Sequence, residues 1–165
     1  MAVPIRSTRL PPSGPQGRGQ RHHPRDARRG YGLIRELGAN TVRLAHYQHD
    51  QYFYDLCDQY GMVVWAEIPY ISEHLPNGRA NTISQMKELI YQNYNHPCIV
   101  CWGVSNEITI STRDKADMLD NHRELNDLCH KMDSTRLTTL ACYAMCGPFN
   151  RWPTSPTSSA GTSTS

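Results

Sequence analysis

Hydrophobic and polar residues follow two periods along the middle of the chain. Short apolar runs predict buried strands over residues 40–45, 62–66, 98–104 and 137–142. Apolar residues recurring every three or four positions predict helices over residues 50–60, 82–95 and 112–132, and the end of an earlier helix over 33–37. Strands that alternate with helices predict an α/β fold with right-handed crossovers and a parallel sheet or barrel.

The helix over residues 50–60 has recognisable start and stop signals. Asp50 is suited to capping its first turn, and Gly61 is suited to the left-handed residue that often follows a helix. Gly38 is expected to end the preceding helix in the same way. The apolar face is predicted to consist of Phe53, Leu56, Cys57 and Tyr60.

Charge divides the chain into three segments. The whole sequence has 17 Lys and Arg against 15 Asp and Glu, a net charge of +2. Residues 1–32 contain seven Arg and one acid, whereas residues 33–150 have a net charge of −5, and residues 151–165 are mostly Ser, Thr and Pro. We therefore expect an irregular basic tail, a folded middle and a disordered carboxyl-terminal tail.

Composition also excludes several classes of protein. A net charge of +2 argues against a dedicated nucleic-acid binder, although a nucleic-acid-binding arm over residues 1–32 stays an alternative that a deletion and DNA-shift experiment tests. No run approaches the roughly 20 apolar residues of a membrane span. No apolar stretch follows the first arginines, so no signal peptide is expected and the default compartment is cytoplasmic.

Polar side chains follow the predicted strands where chemistry is found in parallel α/β folds. His46 follows the first strand, Glu67 the second, and Asn106 and Glu107 the third. Because parallel strands end at one edge of a sheet, these groups are expected to converge on one site. Each alone has an ordinary structural explanation, such as a buried histidine or an ion-paired strand end.

Two stretches carry a more specific signal. GANTVRLAHYQHDQYFYDLCDQYGMVVWAEIP (38–69) and NHPCIVCWGVSNE (95–107) resemble the catalytic barrel of glycoside hydrolase family 2, with bacterial β-galactosidases most similar. The resemblance covers residues 33–150 and implies part of a (β/α)₈ TIM barrel, roughly its strands two to five. At 165 residues the chain is too short for a complete barrel, which usually needs about 250.

The resemblance also implies residue roles in retaining hydrolysis of a β-galactoside or related carbohydrate. Glu107 is the expected general acid/base, and Asn106 the hydrogen-bond partner of the sugar 2-hydroxyl. His46, Glu67 and Trp102 are the expected subsite residues. Some family members use Mg²⁺ and Na⁺ near the site, but no metal ligand is assigned here, and the intact parent is expected to be a homo-oligomer.

One expected catalytic group is missing. In this family the nucleophile is a Glu at the seventh strand, whereas the resemblance ends near the fifth. We therefore expect a fragment with little or no turnover, and the alternative is a non-catalytic sugar-binding or non-functional chain. A partial barrel also leaves strand faces uncovered, so we expect lost burial at Val63, Trp65, Ile99, Val100 and Trp102 and a marginally stable or oligomerising product.

We hypothesise that both tails are read in a shifted frame. Codons compatible with residues 151–165 can be chosen so that the shifted frame reads VAHITDLVSWNLYF, and residues 9–32 can give family-like text in the same way. Sequencing the gene tests this hypothesis, because shifted frames full of stop codons would exclude it.

The six cysteines are interpreted as small buried residues of a reducing compartment. Cys98 and Cys101 resemble half a zinc site. They lie at odd separation within a predicted strand and so face opposite sides, and no second pair with metal spacing accompanies them.

Overall fold

The computed structural model describes residues 3–4 and 24–143 of the chain, and these form one parallel sheet flanked by helices. The strands are β1 (Val3–Pro4), β2 (Thr41–Leu44), β3 (Val63–Glu67), β4 (Ile99–Asn106) and β5 (Leu137–Ala141). The helices are α1 (Pro24–Glu36), α2 (Gln51–Tyr60), α3 (Arg79–Asn93) and α4 (Lys115–Met132), with a 3₁₀ turn at Pro76–Gly78 before α3.

Strands that follow one another in the chain also lie side by side. The order is β1-β2-β3-β4-β5, and every neighbouring pair is parallel. A doubly wound sheet reverses its strand order, whereas a barrel adds each strand in sequence. The predicted α/β class and the partial barrel are therefore confirmed.

The amino-terminal region differs from the expected irregular tail. Helix α1 begins at Pro24, so residues 24–32 are helical, and Val3–Pro4 adds a two-residue strand beside β2. The helix forms because Ala27, Tyr31 and Ile34 recur at helical spacing and pack against the core, a pattern that the intervening arginines obscure. The remaining residues of 1–23, and all of 144–165, lie outside the described residues.

Helix α2 matches its predicted signals. The Asp50 side chain accepts a hydrogen bond from the Tyr52 backbone N–H, and Gly61 adopts φ +70° directly after the helix. The predicted apolar face is wrong at Tyr60, which is 50% exposed. Tyr60 lies on the predicted stripe, but it is the last residue of the helix and stacks on Tyr31 at the edge of the core. Tyr54, beside the stripe, is fully buried.

The two faces of the sheet differ in chemistry. Paired residues of parallel strands share a face, and alternate residues of one strand lie on opposite faces. The helix-facing side is apolar and buried, and its members are Val42, Leu44, Val64, Ala66 and Trp102. The opposite, inner side carries Arg43, Trp65, Glu67 and Gly103. A Cβ added at Gly103 would overlap the Trp65 indole and the Glu67 side chain, so any larger residue here forces these side chains to shift.

The expected loss of burial is confirmed for part of the set. Val63 and Val100 are 37% and 46% exposed, and Trp65 is half-buried. The expectation is wrong for Ile99 and Trp102, which are almost fully buried because they pack under the helices. Among the helices of residues 24–143, none is long and apolar enough to cross a membrane.

Candidate active site

A buried ion pair joins β2 and β3 on the inner side of the sheet. Arg43 Nε donates to Glu67 Oε2 at 2.9 Å, and Arg43 Nη2 donates to Glu67 Oε1 at 3.1 Å. The Glu67 side chain is fully buried and that of Arg43 is 18% exposed. The guanidinium also lies over the Trp65 ring, 4.4 Å from its centroid. This two-point contact holds the carboxylate in one orientation.

His46 and Asn106 complete the cluster from the two neighbouring strand ends. His46 Nδ1 lies 2.7 Å from Glu67 Oε1, and its side chain is 38% exposed. Arg43 Nη2 donates to Asn106 Oδ1 at 2.6 Å. The predicted convergence of His46, Glu67 and Asn106 at one rim is thus observed, and Arg43 links them.

The loop after β3 fixes the backbone of Asn106. The Asn106 N–H donates to the Tyr70 carbonyl at 2.9 Å, and the Ser72 N–H donates to the Asn106 carbonyl at 3.0 Å. Behind this segment, the hydroxyl of Ser105 pairs with His122 Nε2 at 2.7 Å, while His122 Nδ1 donates to the Met118 carbonyl. Burial lowers the pKa of His122 to about 4, so the ring is a neutral, fixed acceptor at pH 7.

Glu107 occupies a strained position directly after β4. Its φ is +47°, in the left-handed region that non-glycine residues rarely adopt. Its N–H donates to the Ala141 carbonyl at 2.7 Å, which ties it to the end of β5, and the residue is partly exposed. Strain of this kind costs about 1–3 kcal/mol and is found preferentially at functional sites.

Trp102 does not lie at this cluster, which corrects the expectation that it contacts sugar. Its indole N–H donates to Asp133 Oδ2 at 3.0 Å on the helix-facing side, and its side chain is fully buried. The register irregularity between Gly103 and Ser105 explains the difference. Trp102 and Asn106 are four residues apart and would lie on the same face of a regular strand, but the irregularity places Asn106 on the inner side.

Sequence reasoning missed Arg43 and His122. Arg43 has a readable signal, since a charged residue between the buried Val42 and Leu44 must face the other side of the strand. His122 has no such signal, because it lies on the apolar stripe of α4 and its role depends on contact with Ser105.

His74, in the loop after β3, is held by neighbouring side chains and has a structural role. His74 Nε2 lies 2.7 Å from Asp117 Oδ2, its N–H donates to Thr112 Oγ1, and its other ring nitrogen contacts the Tyr70 hydroxyl. Within residues 24–143, the group of metal-ligand side chains close enough to share an ion lies elsewhere, at Asp58, His96 and Cys98.

Comparison with known proteins shows the family of the chain. Residues 15–151 match the family model described as glycosyl hydrolases family 2, TIM barrel domain. The match includes residues 15–32, which the frame-shift hypothesis assigns to the wrong frame, and that hypothesis stays a prediction.

Relatives with two enzyme names are similar to the chain. A β-glucuronidase of Bacteroides fragilis is 40% identical over 73% of this chain and 18% of its own length. A β-galactosidase of Thermoanaerobacter pseudethanolicus is 37% identical over 62% of this chain and 13% of its own length. The crystal structure of an FMN-binding β-glucuronidase from Facaelibacterium prausnitzii L2-6 superposes with a TM-score of 0.73 and 47% identity, over 79% of this chain and 21% of the other.

The chain thus spans about a fifth or less of the curated relatives it matches. It belongs to glycosyl hydrolase family 2, and its described residues form part of that family's TIM-barrel domain.

Proposed function

We propose that the rim formed by His46, Glu67, Asn106 and Glu107 is the acid/base half of a retaining β-glycosidase site. The observation that carries this proposal is the hydrogen-bonded convergence of the first three residues beside the strained Glu107. In the parent protein the expected reaction is hydrolysis of a terminal β-galactoside or β-glucuronide. Relatives with both names support this substrate class equally.

Glu107 is the proposed general acid/base. Such a group protonates the leaving oxygen of the glycoside and later deprotonates the attacking water. Glu107 is partly exposed, so this residue is accessible to a bound sugar. The hydrogen bond from the Glu107 N–H to the Ala141 carbonyl, and the two backbone hydrogen bonds of Asn106 before it, fix the Glu107 backbone before substrate binds.

Asn106 is the proposed partner of the sugar 2-hydroxyl. Its Oδ1 accepts from Arg43, so the side-chain amide orientation is set and its NH₂ group is left to donate. A donor in this position stabilises the oxocarbenium-like transition state through the 2-hydroxyl. Arg43 acts through Asn106 and Glu67, and is a positioning residue.

Glu67 is unsuited to the role of nucleophile. Its two oxygens are held by Arg43 and His46, and the side chain is fully buried. A nucleophilic carboxylate must approach the anomeric carbon about 5–5.5 Å from the acid/base carboxyl group. The proposed behaviour of this chain alone is therefore sugar binding with little or no turnover.

Two measurements on the purified chain test the proposal. Isothermal titration with galactose and with glucuronic acid is expected to give saturable binding, and chromogenic β-galactosides and β-glucuronides are expected to give no hydrolysis above buffer. Asn106→Ala is expected to weaken binding at least tenfold, and Asn81→Ala, on the exposed side of α3, is the matched control.

Binding of neither sugar, or equal binding by Asn106→Ala and the unmodified chain, would contradict the proposed site. Hydrolysis that Glu107→Gln leaves unchanged would contradict the role of Glu107. Glu88→Gln, at an exposed position of α3, controls for the loss of one negative charge.

A further inference from the structure

A second cluster of ligand-type side chains lies at the opposite end of the sheet. Asp58 belongs to α2, His96 to the loop after α3, and Cys98 directly precedes β4. One carboxylate oxygen, one imidazole nitrogen and the sulfur all lie within 4.8 Å of one another. The Cys98 carbonyl accepts from the Val64 N–H at the start of β3, so the cluster is at the amino ends of the strands, away from the glycosidase rim.

Hydrogen bonds hold the Asp58 carboxylate in an orientation in which it could bind the same metal ion as His96. Asp58 Oδ1 accepts from the Cys98 backbone N–H at 2.8 Å, and Asp58 Oδ2 lies 2.6 Å from His96 Nδ1. One oxygen therefore anchors the side chain to the backbone while the other faces the imidazole. Cys98 is 8% exposed, and its sulfur lies 3.8 Å from the Tyr54 carbonyl.

The imidazole has a hydrogen-bond partner on its far side. His96 Nε2 lies 3.3 Å from Gln51 Oε1, and Gln51 Nε2 donates to Asn93 Oδ1 at 2.9 Å. Because Gln51 donates to Asn93, its carbonyl oxygen is directed at the ring. A proton on Nε2 leaves the Nδ1 lone pair for a metal ion, and metal-binding histidines commonly have such an outer partner.

We propose that Asp58, His96 and Cys98 bind Zn²⁺, with water as the fourth ligand, and that the ion joins α2 to the start of β4. One carboxylate, one thiolate and one neutral imidazole match the two charges of the ion, and oxygen, nitrogen and sulfur are all zinc ligands. The side chains of Asp58 and His96 are 23% and 14% exposed, which gives the ion and a water molecule access.

Binding releases the thiol proton. The Cys98 thiol loses its proton to solvent as the Zn–S bond forms, and His96 binds through the Nδ1 lone pair with a proton on Nε2. Because the thiolate is the form that binds a metal ion, Zn²⁺ binding at Cys98 is expected to weaken as the pH falls.

The experiment uses the full chain with Co²⁺ and Zn²⁺ as probes. Added Co²⁺ is expected to give one equivalent of tetrahedral visible bands and a thiolate-to-cobalt charge-transfer band, and Zn²⁺ is expected to displace it. Cys98→Ser is expected to remove the charge-transfer band and to weaken Zn²⁺ binding at least tenfold. Cys101→Ser, three residues along and outside the cluster, is the matched control and is expected to change neither.

A second readout addresses folding of the variant. Saturating Zn²⁺ is expected to raise the melting temperature of the unmodified chain and of Cys101→Ser by about 5 °C or more, and that of Cys98→Ser by less than 1–2 °C. Absence of the cobalt bands in the unmodified chain, or equal bands in Cys98→Ser, would overturn the proposal. His96→Gln must give the same loss as Cys98→Ser. Neither measurement involves sugar, so its outcome is independent of the proposed glycosidase site.

Discussion

Asp133 is the residue whose conservative replacement is expected to be most costly. Its carboxylate lies at the carboxyl end of α4 and is fully buried. Oδ2 accepts from the Trp102 indole at 3.0 Å and from Arg136 Nη1 at 2.7 Å, and Oδ1 accepts from the Thr135 N–H at 2.9 Å and its hydroxyl at 2.6 Å. Four donors thus converge on one carboxylate, and Asp133→Asn changes the electrostatics while keeping the shape.

The magnitude follows from the donor count. The NH₂ group of an Asn here would face two donors in either orientation of the amide: Trp102 and Arg136, or the N–H and hydroxyl of Thr135. Of these four donors, only the Thr135 hydroxyl can rotate and accept a hydrogen bond from the NH₂ group. One or two hydrogen bonds to a charged group are lost, each contributing about 1.5–3 kcal/mol. Arg136 also loses its buried ion-pair partner, and breaking such a pair costs about 3–5 kcal/mol. Since these costs overlap, Asp133→Asn is expected to lower the free energy of unfolding by about 3–5 kcal/mol.

Urea unfolding followed by Trp fluorescence measures this loss, with far-ultraviolet circular dichroism as the check on folding. The matched control is Asp120→Asn, whose ion pair with Arg123 joins two side chains about 60% exposed and is expected to contribute less than about 0.5 kcal/mol. An unfolded Asp133→Asn chain in water also agrees with the expectation, because domains are only about 5–15 kcal/mol stable. A loss under about 1 kcal/mol, or one equal to that of Asp120→Asn, would refute the reasoning.

Three further predictions concern the sheet and the helix end that packs on it. Arg43→Met is expected to lower the free energy of unfolding by about 3–5 kcal/mol, because it leaves the Glu67 carboxylate buried without its cation. Urea unfolding measures this loss, and a loss below about 1 kcal/mol would contradict a stabilising role for the ion pair. Burial alone would raise the pKa of Asp133, but the hydrogen bonds that its carboxylate accepts hold the pKa well below its ordinary value. The contribution of Asp133 to the free energy of unfolding is therefore fully present above about pH 4 and is lost as the pH falls further. Urea unfolding over a pH series should show that Asp133→Asn loses less stability on acidification than the unmodified chain. Gly103→Ala is expected to lower the melting temperature, at a cost of about 1–3 kcal/mol, because its Cβ overlaps side chains of β3; an unchanged melt would contradict that close approach.

Local signals in the sequence predict much of the fold. Most strand and helix positions agree with the structure to within a few residues, because each element has an apolar period, and helix α2 also has a cap at its start and a glycine at its end. Gly38 and Gly61 both adopt the positive φ that their positions after helices require. The end of helix α1 is predicted, but its first part, residues 24–32, is not, because Arg28 and Arg29 obscure the helical spacing of Ala27, Tyr31 and Ile34.

The candidate site is predictable only where the chain follows regular strand geometry. His46, Glu67 and Asn106 come together because parallel strands end at one edge, which is a property of the fold class. Trp102 was misassigned because a register irregularity in β4 reverses the face between it and Asn106. No periodicity in the sequence encodes that irregularity, which depends on how β4 pairs with β5.

Glu107 and Asp133 lie at different ends of the sheet, and this separation makes the predictions for them distinguishable. At the carboxyl ends, the partly exposed Glu107 is accessible to a ligand, so its substitution is expected to change binding more than folding. At the amino ends, Arg136 donates to the carbonyls of Tyr94, His96 and Ile99, so one cation fixes the turn between α3 and β4. Asp133→Asn acts through that cation and Asn106→Ala does not, so the first should lose stability before sugar affinity. The second should lose affinity together with the smaller stability contribution, about 1.5–3 kcal/mol, of its hydrogen bond from Arg43.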